Sequence, residues 1–411
     1  MESIYSFNYS IPYLVYFFFL IILMVREFKC INERKDTKKI RIVTILGFLF
    51  FFGLRGFVFT DWINYYTLFE ELPSLWNEGF FSISRGNYYV EEYGTNVLQG
   101  SVGMELGFIY FTAILKSIFP NYFLWVFVNS LIDVLILNYF FKKYSKYYVL
   151  SFLFFFLFGG VALEFNLMRN IKAVMLFIIS IKYLEERRIL PYMLLNLVGY
   201  YFHSSAIVFF PLYFILHKQW SAKILWGIFI VGNVIYLLQI QYLSPILSFL
   251  ANIIGGRLSL TIDLYLQSDL YGSAYGISIG YLERVVTFLL VMYYRQRLID
   301  KNPVNIVFIN LFVLYFIVYF FFTEIMVAVE RVSFLFALSY WILYPGIIAL
   351  FNKAKLKLLF FCILIFYGTI KIVKSYSNIL AKYDNQLWGI ENYESRRQKV
   401  DKYFDILSDN R

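Results

Sequence analysis

The sequence has little of the chemistry that cysteine provides. It contains 2 cysteines in 411 residues. Cys30 lies beside a basic stretch, Cys362 lies inside an apolar run, and neither belongs to a CxxC pair. A disulfide framework, a zinc site and thiol redox chemistry are therefore not indicated. We expect neither a metal nor a cofactor.

Several catalytic signatures are missing as well. The chain has no GxxxxGK[ST] phosphate loop, no HExxH and no DxD. A nucleotide-driven motor, a zinc protease and a metal-dependent sugar-nucleotide transferase therefore lose support. The first residues, MESIYSFNYS, lack the basic segment of a signal peptide, so the first apolar helix is expected to be retained.

Apolar side chains are abundant instead. Hydrophobic residues make up 60% of the chain, aromatic residues 22%, and the mean hydropathy is +0.65. A bilayer core about 30 Å thick needs roughly 20 apolar residues per helix. The sequence predicts an all-α polytopic integral membrane protein with about 12 transmembrane helices. The predicted spans are residues 11–25, 42–57, 122–141, 148–163, 171–184, 190–202, 206–217, 224–240, 280–294, 304–322, 332–351 and 358–373.

The basic residues indicate a topology rather than a nucleic-acid surface. The formal net charge is +10, but Lys and Arg fall in short clusters between apolar runs. These clusters alternate with loops that are poor in basic residues, which places the poor loops outside. Residues 58–121 and 241–280 are thus predicted as long extracytoplasmic loops, and both termini as extracytoplasmic. Residues 1–373 form one predicted transmembrane domain, followed by a polar C-terminal tail, 374–411.

One apolar segment conflicts with this alternation. Residues 105–119 number only 15, and counting them as a span would move the next basic cluster outside. We therefore predict a re-entrant or interfacial helix there.

Ionisable residues at the borders of spans are functional candidates, because each costs roughly 2.5 to 3.5 kcal/mol to insert. Arg55 ends the second span, six residues before Asp61. The pair fits an anion-binding guanidinium beside a carboxylate, and equally a snorkelling arginine with an interfacial acid. Tyr65 lies one helical turn after Asp61 and fits the aromatic belt of a membrane protein better than a sugar contact.

Other cations lie near the ends of later spans. Arg169 and Lys172 are three residues apart, so they share a helical face that suits a diphosphate; a local pair with Glu164 is the alternative. His203 lies in a short turn, where a lone histidine is more often structural than a base. Glu105 starts the short apolar segment and fits simple matching of the helix dipole.

Three further arginines are candidates for substrate binding. Arg257 lies in the second long loop. Glu283 precedes Arg284, and Glu330 precedes Arg331. Adjacent residues point apart on a helix, so we expect each to have another partner. Arg331 is the stronger candidate because it leads directly into an apolar helix.

Five segments together resemble the EpsG family of polysaccharide-biosynthesis membrane proteins, relatives of the Wzy polymerases. In order they are LRGFVFTDWINYYTLF, MELGFIYFTAILKSIF, EFNLMRNIKAVMLFIISIKYLEERR, LVGYYFHSSAIVFFPLYFIL and VERVSFLFALSYWILYP, within about residues 50–350. The sequence departs from the family pattern at Phe59, where a glycine is expected, and at Asn170, where a glutamine is expected.

The resemblance implies a glycosyltransferase at the extracytoplasmic face of the bacterial cytoplasmic membrane. Such an enzyme moves a growing glycan from undecaprenyl diphosphate onto a fresh lipid-linked repeat unit, without a sugar nucleotide. Its implied partners are the lipid-linked donor and acceptor, the bilayer, a flippase and a chain-length regulator, but no nucleic acid. A lipid-linked oligosaccharide flippase and a glycan ligase stay open as alternatives.

By the resemblance, five residues correspond to the family's polar positions: Arg55, Asp61, Arg169, His203 and Arg331. Our hypothesis is that Asp61 or His203 is the catalytic base. The residues predicted for diphosphate or sugar binding, from the resemblance and from their own positions, are Arg55, Tyr65, Arg169, Lys172, Arg257, Arg284 and Arg331.

Overall fold

The computed structural model describes residues 3–78, 83, 89–90, 102–254, 277–324 and 326–409. The chain forms two compact units. The first contains residues 1–210 and 351–411, and the second contains residues 211–350.

Helices make up most of the described part of the first unit. Before residue 210 they are α1 (Ile11–Asn32), α2 (Lys38–Phe48), α3 (Trp62–Glu71), α4 (Leu75–Glu78), α5 (Leu106–Ile118), α6 (Tyr122–Tyr144), α7 (Tyr148–Phe155), α8 (Val161–Phe165), α9 (Met168–Glu185) and α10 (Ile189–Phe202). A π-helical turn, Leu49–Gly53, extends α2, and another, Phe156–Gly160, joins α7 to α8. The strands β1 (Tyr89–Val90) and β2 (Val102–Gly103) pair antiparallel.

The second unit is also helical in its described part. Its helices are α11 (Phe209–Ile215), which begins at the end of the first unit, α12 (Ala222–Leu238), α13 (Leu243–Ile254), α14 (Ile279–Lys301), α15 (Asn305–Phe321), α16 (Met326–Phe336) and α17 (Leu338–Ile348). The first unit then resumes with α18 (Ala354–Tyr376) and α19 (Tyr393–Asp409).

Each of the twelve predicted spans overlaps a helix. Among the described residues, three helices are long and apolar enough to cross a membrane: Tyr122–Tyr144, Tyr148–Phe165 and Ala354–Tyr376. The pair Ala222–Leu238 and Leu243–Phe249, bent by 86°, would make a fourth. The apolar helices agree with a membrane protein, whereas the count of twelve and the side of the termini stay predictions. With 13 residues, α5 is about 20 Å long and by itself too short to cross.

The polar tail packs into the first unit. Residues 380–386 lie along residues 54–59 and form backbone hydrogen bonds with them. These are Gly56 N to Asp384 O (2.9 Å), Phe59 N to Leu380 O (2.8 Å) and Gln386 N to Leu54 O (2.8 Å). Arg396 of α19 is completely buried and donates to Leu380 O and Lys382 O at 3.1 and 2.6 Å. We call residues 380–386 together with Arg396 the C-terminal clamp.

A close approach of two helices depends on Gly107. A Cβ atom at this position in α5 would lie 2.5 Å from the carbonyl oxygen of Tyr201 in α10. Gly107→Ala should therefore lower stability by about 1 to 3 kcal/mol, because the backbone oxygen cannot move aside as a flexible side chain could. Thermal unfolding in detergent measures this effect.

Gly227→Ala is the matched control, since nothing lies within 4 Å of a Cβ atom at that position in α12. Alanine is favoured over glycine inside a helix by about 1 kcal/mol, so this variant should be as stable as the wild type or more stable. Equal changes of the same sign in the two variants would contradict the close approach.

Candidate functional site

The site is built at a break between two helices. Helix α8 ends at Phe165 and α9 begins at Met168. The last carbonyl groups of a helix lack donors within the helix and carry the negative end of its dipole. The carbonyl oxygens of Glu164 and Asn166 therefore accept hydrogen bonds from distant parts of the chain.

The Arg55 side chain lies against the C-terminal end of α8. Its Nη2 donates to Glu164 O at 2.8 Å, and its Cζ lies 5.0 Å from the centre of the Phe165 ring. The residue is 4% exposed. In the described part of the chain its other acceptors, Phe52 O and Met168 Sδ, are neutral too. Arg55 is thus a buried cation with neutral hydrogen-bond acceptors among the described residues, and the carboxyl group of Glu164 is near enough to interact with its charge.

Asn166 fixes the segment that contains Asp61. Its Oδ1 accepts the backbone N–H groups of Thr60 and Asp61 at 3.3 and 3.4 Å. Its carbonyl oxygen accepts the hydroxyl of Tyr65 at 2.8 Å. Burial, together with the charge of Asp61, raises the pKa of Tyr65 to about 12, although Arg169 lowers it in part. Tyr65 therefore acts as a neutral donor near neutral pH.

Phe59 has a backbone conformation that favours glycine, the residue expected at this position. Its φ is +64°, in the left-handed region that is costly for a residue with a Cβ atom. Glycine adopts this φ without strain. The Phe59 N–H donates to Leu380 O of the C-terminal clamp, which helps to hold the strained turn.

Arg169 pairs with the acid at the start of α5, not with Glu164. Its Nη1 lies 2.5 Å from Glu105 Oε2, and the two side chains are 16% and 18% exposed. Glu105 Oε1 accepts the backbone N–H of Ser204 at 3.0 Å. Glu105, predicted only to match a helix dipole, thus joins α5, α9 and the turn that carries His203.

The state of Glu105 makes stability depend on pH. Burial raises the pKa of this carboxyl, but the charges of Arg169 and His203 and the Ser204 N–H lower it more, so the net shift is downward. A carboxyl with a lowered pKa stabilises the fold above its ordinary value of 4.5, and this stabilisation is lost as the pH falls through the folded value.

Glu105→Gln should therefore be less stable than the wild type at neutral pH, and the difference should shrink at an acidic pH below 4.5. Thermal unfolding at both pH values checks this expectation. Glu33→Gln serves as control, because Glu33 forms only exposed ion pairs and should show little difference at either pH. A Glu105→Gln deficit that persists at low pH would contradict the electrostatic explanation.

His203 offers a donor rather than a base in its neutral form. Its Nδ1 accepts the backbone N–H of Ser205 at 3.2 Å and lies 2.7 Å from Ser205 Oγ. We assign the proton of the neutral ring to Nε2 on the basis of this hydrogen bond. Of the two predicted bases, Asp61 therefore fits proton acceptance better.

Lys172 does not converge with Arg169. Its Nζ lies 2.6 Å from Asp133 Oδ2 and donates to Asn129 O at 3.2 Å. The Lys172 and Asp133 side chains are 5% and 1% exposed, inside the bundle against α6. Although Arg169 and Lys172 share a helical face, each is paired with a different acid. The structure therefore does not form the predicted two-cation clamp.

The remaining arginine candidates are in the second unit or outside the described residues. Arg284 donates to Tyr315 Oη at 2.8 Å and lies over the Tyr319 ring at 3.7 Å. It also forms a 3.8 Å ion pair with Glu283, its neighbour in sequence, which we did not expect. Arg331 lies on the exposed side of α16. Arg257 lies outside the described residues.

Sequence reasoning missed Asn166, Asp133 and the C-terminal clamp. Asp133 interrupts the apolar run 122–141, and an acid inside a span is a signal that could have identified it. Asn166 and the clamp give no such signal, because their partners lie more than 100 residues away. A GxSxG pattern at 276–280 is also present, but Ser278 accepts the Tyr281 N–H and caps α14.

The contacts link the segments that carry five predicted residues in the first unit. These residues are Arg55, Asp61, Tyr65, Arg169 and His203. Neither the curated proteins nor the solved structures yield a match to the chain. The model of the EpsG family matches residues 38–387, which include all five. The chain therefore belongs to the EpsG family, a Wzy-like polymerase family of membrane proteins in polysaccharide biosynthesis.

Proposed function

We propose that the protein is a polymerase that joins undecaprenyl-diphosphate-linked oligosaccharide repeat units at the extracytoplasmic face of the bacterial cytoplasmic membrane. One observation carries the proposal within the family. Hydrogen bonds at one helix break link the Arg55 side chain, the Asp61 backbone and the Arg169–Glu105 pair, and Glu105 also accepts the N–H of Ser204, the neighbour of His203. A cation, a carboxylate and neutral donors together are what glycosyl transfer from a diphosphate requires.

The chemistry follows from the charges. A hydroxyl group of the acceptor sugar attacks the anomeric carbon of the donor glycan, and the bond from that carbon to the diphosphate oxygen breaks. The hydroxyl proton passes to the Asp61 carboxylate, and the polyprenyl diphosphate leaves with one more negative charge. A direct displacement of this kind inverts the anomeric centre.

Arg55 is the best placed residue to stabilise the leaving diphosphate. Its charge faces neutral acceptors, whereas Arg169 is already neutralised in part by Glu105. A cation without a hydrogen-bonded carboxylate gains most when an anion approaches, since a buried charge is costly when unpaired. The Arg169 guanidinium and the Nε2–H group of His203 then orient the sugars.

The direct test uses purified protein in nanodiscs with a synthetic undecaprenyl-diphosphate repeat unit and no nucleotide. We expect a ladder of longer lipid-linked glycans and release of undecaprenyl diphosphate. A strain without the gene should accumulate single repeat units outside the membrane. Units held inside would indicate a flippase, and long unattached glycan would indicate a ligase; either result overturns the proposal.

A further inference from the structure

An apolar groove lies between α1 and α2 in the first unit. Its volume is about 640 Å³. The walls are aromatic and come from both helices and from the tail: Tyr16, Phe19, Phe50, Phe51, Tyr383 and Trp388. Val15 and Leu46, which also line it, are 63% and 59% exposed, so the groove opens to the outside of the unit.

The wall of the groove at Phe51 is close to the buried cation of the candidate site. The Phe51 ring lies 5.8 Å from the Phe165 ring, over which Arg55 lies at 5.0 Å. Tyr383 stacks on Phe51 at 4.9 Å and donates its hydroxyl to Phe51 O. Phe51 of the groove wall and the Arg55 guanidinium therefore contact the same aromatic ring, that of Phe165.

We propose that this groove holds the isoprenoid chain of a polyprenyl diphosphate, with its diphosphate directed towards Arg55. The inference rests on the proposed function and adds the place where the lipid binds. Such a lipid combines an anionic head with a long, branched apolar chain. The groove matches both parts, since its lining is almost entirely apolar and Arg55, whose hydrogen-bond acceptors among the described residues are neutral, lies behind the contact of Phe51 with Phe165.

The length of the groove limits what it can hold. The lining residues of α1 run from Ile11 to Phe19, which corresponds to about 12 Å of helix rise. The groove therefore takes the isoprene units nearest to the diphosphate, and the rest of the chain stays in the bilayer. Because lipid tails are as apolar as the groove, the gain comes from packing and shape rather than from the hydrophobic effect.

The test is a binding measurement without turnover. The probe is undecaprenyl monophosphate with a photoreactive group in the isoprene units next to the phosphate, added to the full-length protein in phosphatidylglycerol nanodiscs. Peptide mapping should find the label on α1 and α2. Excess undecaprenyl diphosphate should reduce the label by about tenfold, whereas added phosphatidylglycerol should not.

Two tryptophan variants give a matched comparison. Val15→Trp fills the groove and should reduce labelling by about tenfold. Ile363→Trp, at a residue of α18 that is 56% exposed, should leave labelling unchanged. Thermal unfolding checks that both variants fold, and Leu46→Trp replaces Val15→Trp if that variant does not.

The outcomes separate the two proposals. Label outside the groove would show that the lipid does not bind there. Equal competition by phosphatidylglycerol would show that the groove accepts any membrane lipid. Either result overturns the proposal that the groove holds the polyprenyl chain. A protein that is labelled in the groove but makes no longer glycan supports the groove and contradicts the polymerase. A protein that polymerises while its label lies elsewhere contradicts the groove alone.

Discussion

Arg55→Ala should leave the protein present in the membrane and reduce chain elongation by roughly 100- to 1,000-fold, the usual effect of removing a preorganised donor to developing negative charge. The reason is the placement of Arg55, which is buried at the end of α8 on neutral acceptors. The measurement is the rate of ladder formation from a synthetic lipid-linked repeat unit. Arg55→Lys should recover only part of the rate, because an ammonium group cannot replace the planar fork.

The control for this variant is Arg41→Ala, which removes an arginine from α2 outside the site and should elongate normally. Arg55→Ala also leaves the Glu164 carbonyl without its donor, which costs about 1 to 3 kcal/mol, so the variant is first shown to be folded by thermal unfolding. A folded Arg55→Ala protein that elongates at the wild-type rate would remove Arg55 from the reaction.

Lys172→Met should lower stability by about 3 to 5 kcal/mol, because it leaves the Asp133 carboxylate buried without its cation. The pair is among the most buried in the described chain, at 5% and 1% exposure, and lies 2.6 Å apart. Thermal unfolding in detergent measures the loss. The substitution keeps the size of the side chain, so that the missing charge rather than a cavity causes the effect.

The double variant Lys172→Met with Asp133→Leu decides whether Lys172 serves the fold or the substrate. Well-packed apolar residues often replace a buried ion pair at little cost, so most of the lost stability should return. Elongation should return with it if Lys172 is structural. A stable double variant that fails to elongate would instead support the diphosphate-binding role predicted from the sequence.

The helices were predictable because apolar runs long enough to span a bilayer indicate transmembrane helices and few other structures. Each predicted span overlaps a helix, and the matches at 122–141 and 358–373 are the clearest. The ends were less predictable. The run 42–57 continues to Phe57 in sequence, but the structure ends the helical turns at Gly53, where residues 54–59 pair with the C-terminal clamp. Hydropathy carries no information on that pairing.

The sequence predicted which residues belong to the site but not which contacts they make. Arg55, Asp61 and Arg169 stood out because charges at the borders of apolar runs are costly. Their partners did not, because the Arg169–Glu105 pair joins residues 64 positions apart and competes with the nearer Glu164. Helical spacing correctly placed Lys172 on the face of Arg169, yet Asp133 in a neighbouring helix determines what its ammonium contacts.

The C-terminal clamp makes the site dependent on the order of synthesis. Residues 54–59 leave the ribosome early, but the residues with which they pair are more than 300 positions later. Contacts between residues so distant in sequence form slowly, because the entropy of closing a long loop is lost before the contacts stabilise the fold. A nascent chain that has already inserted its first helices therefore lacks a finished Arg55–Asp61 segment. Premature termination before residue 380 would therefore leave residues 54–59 without their partners, so that the candidate site forms only in chains that extend past this point.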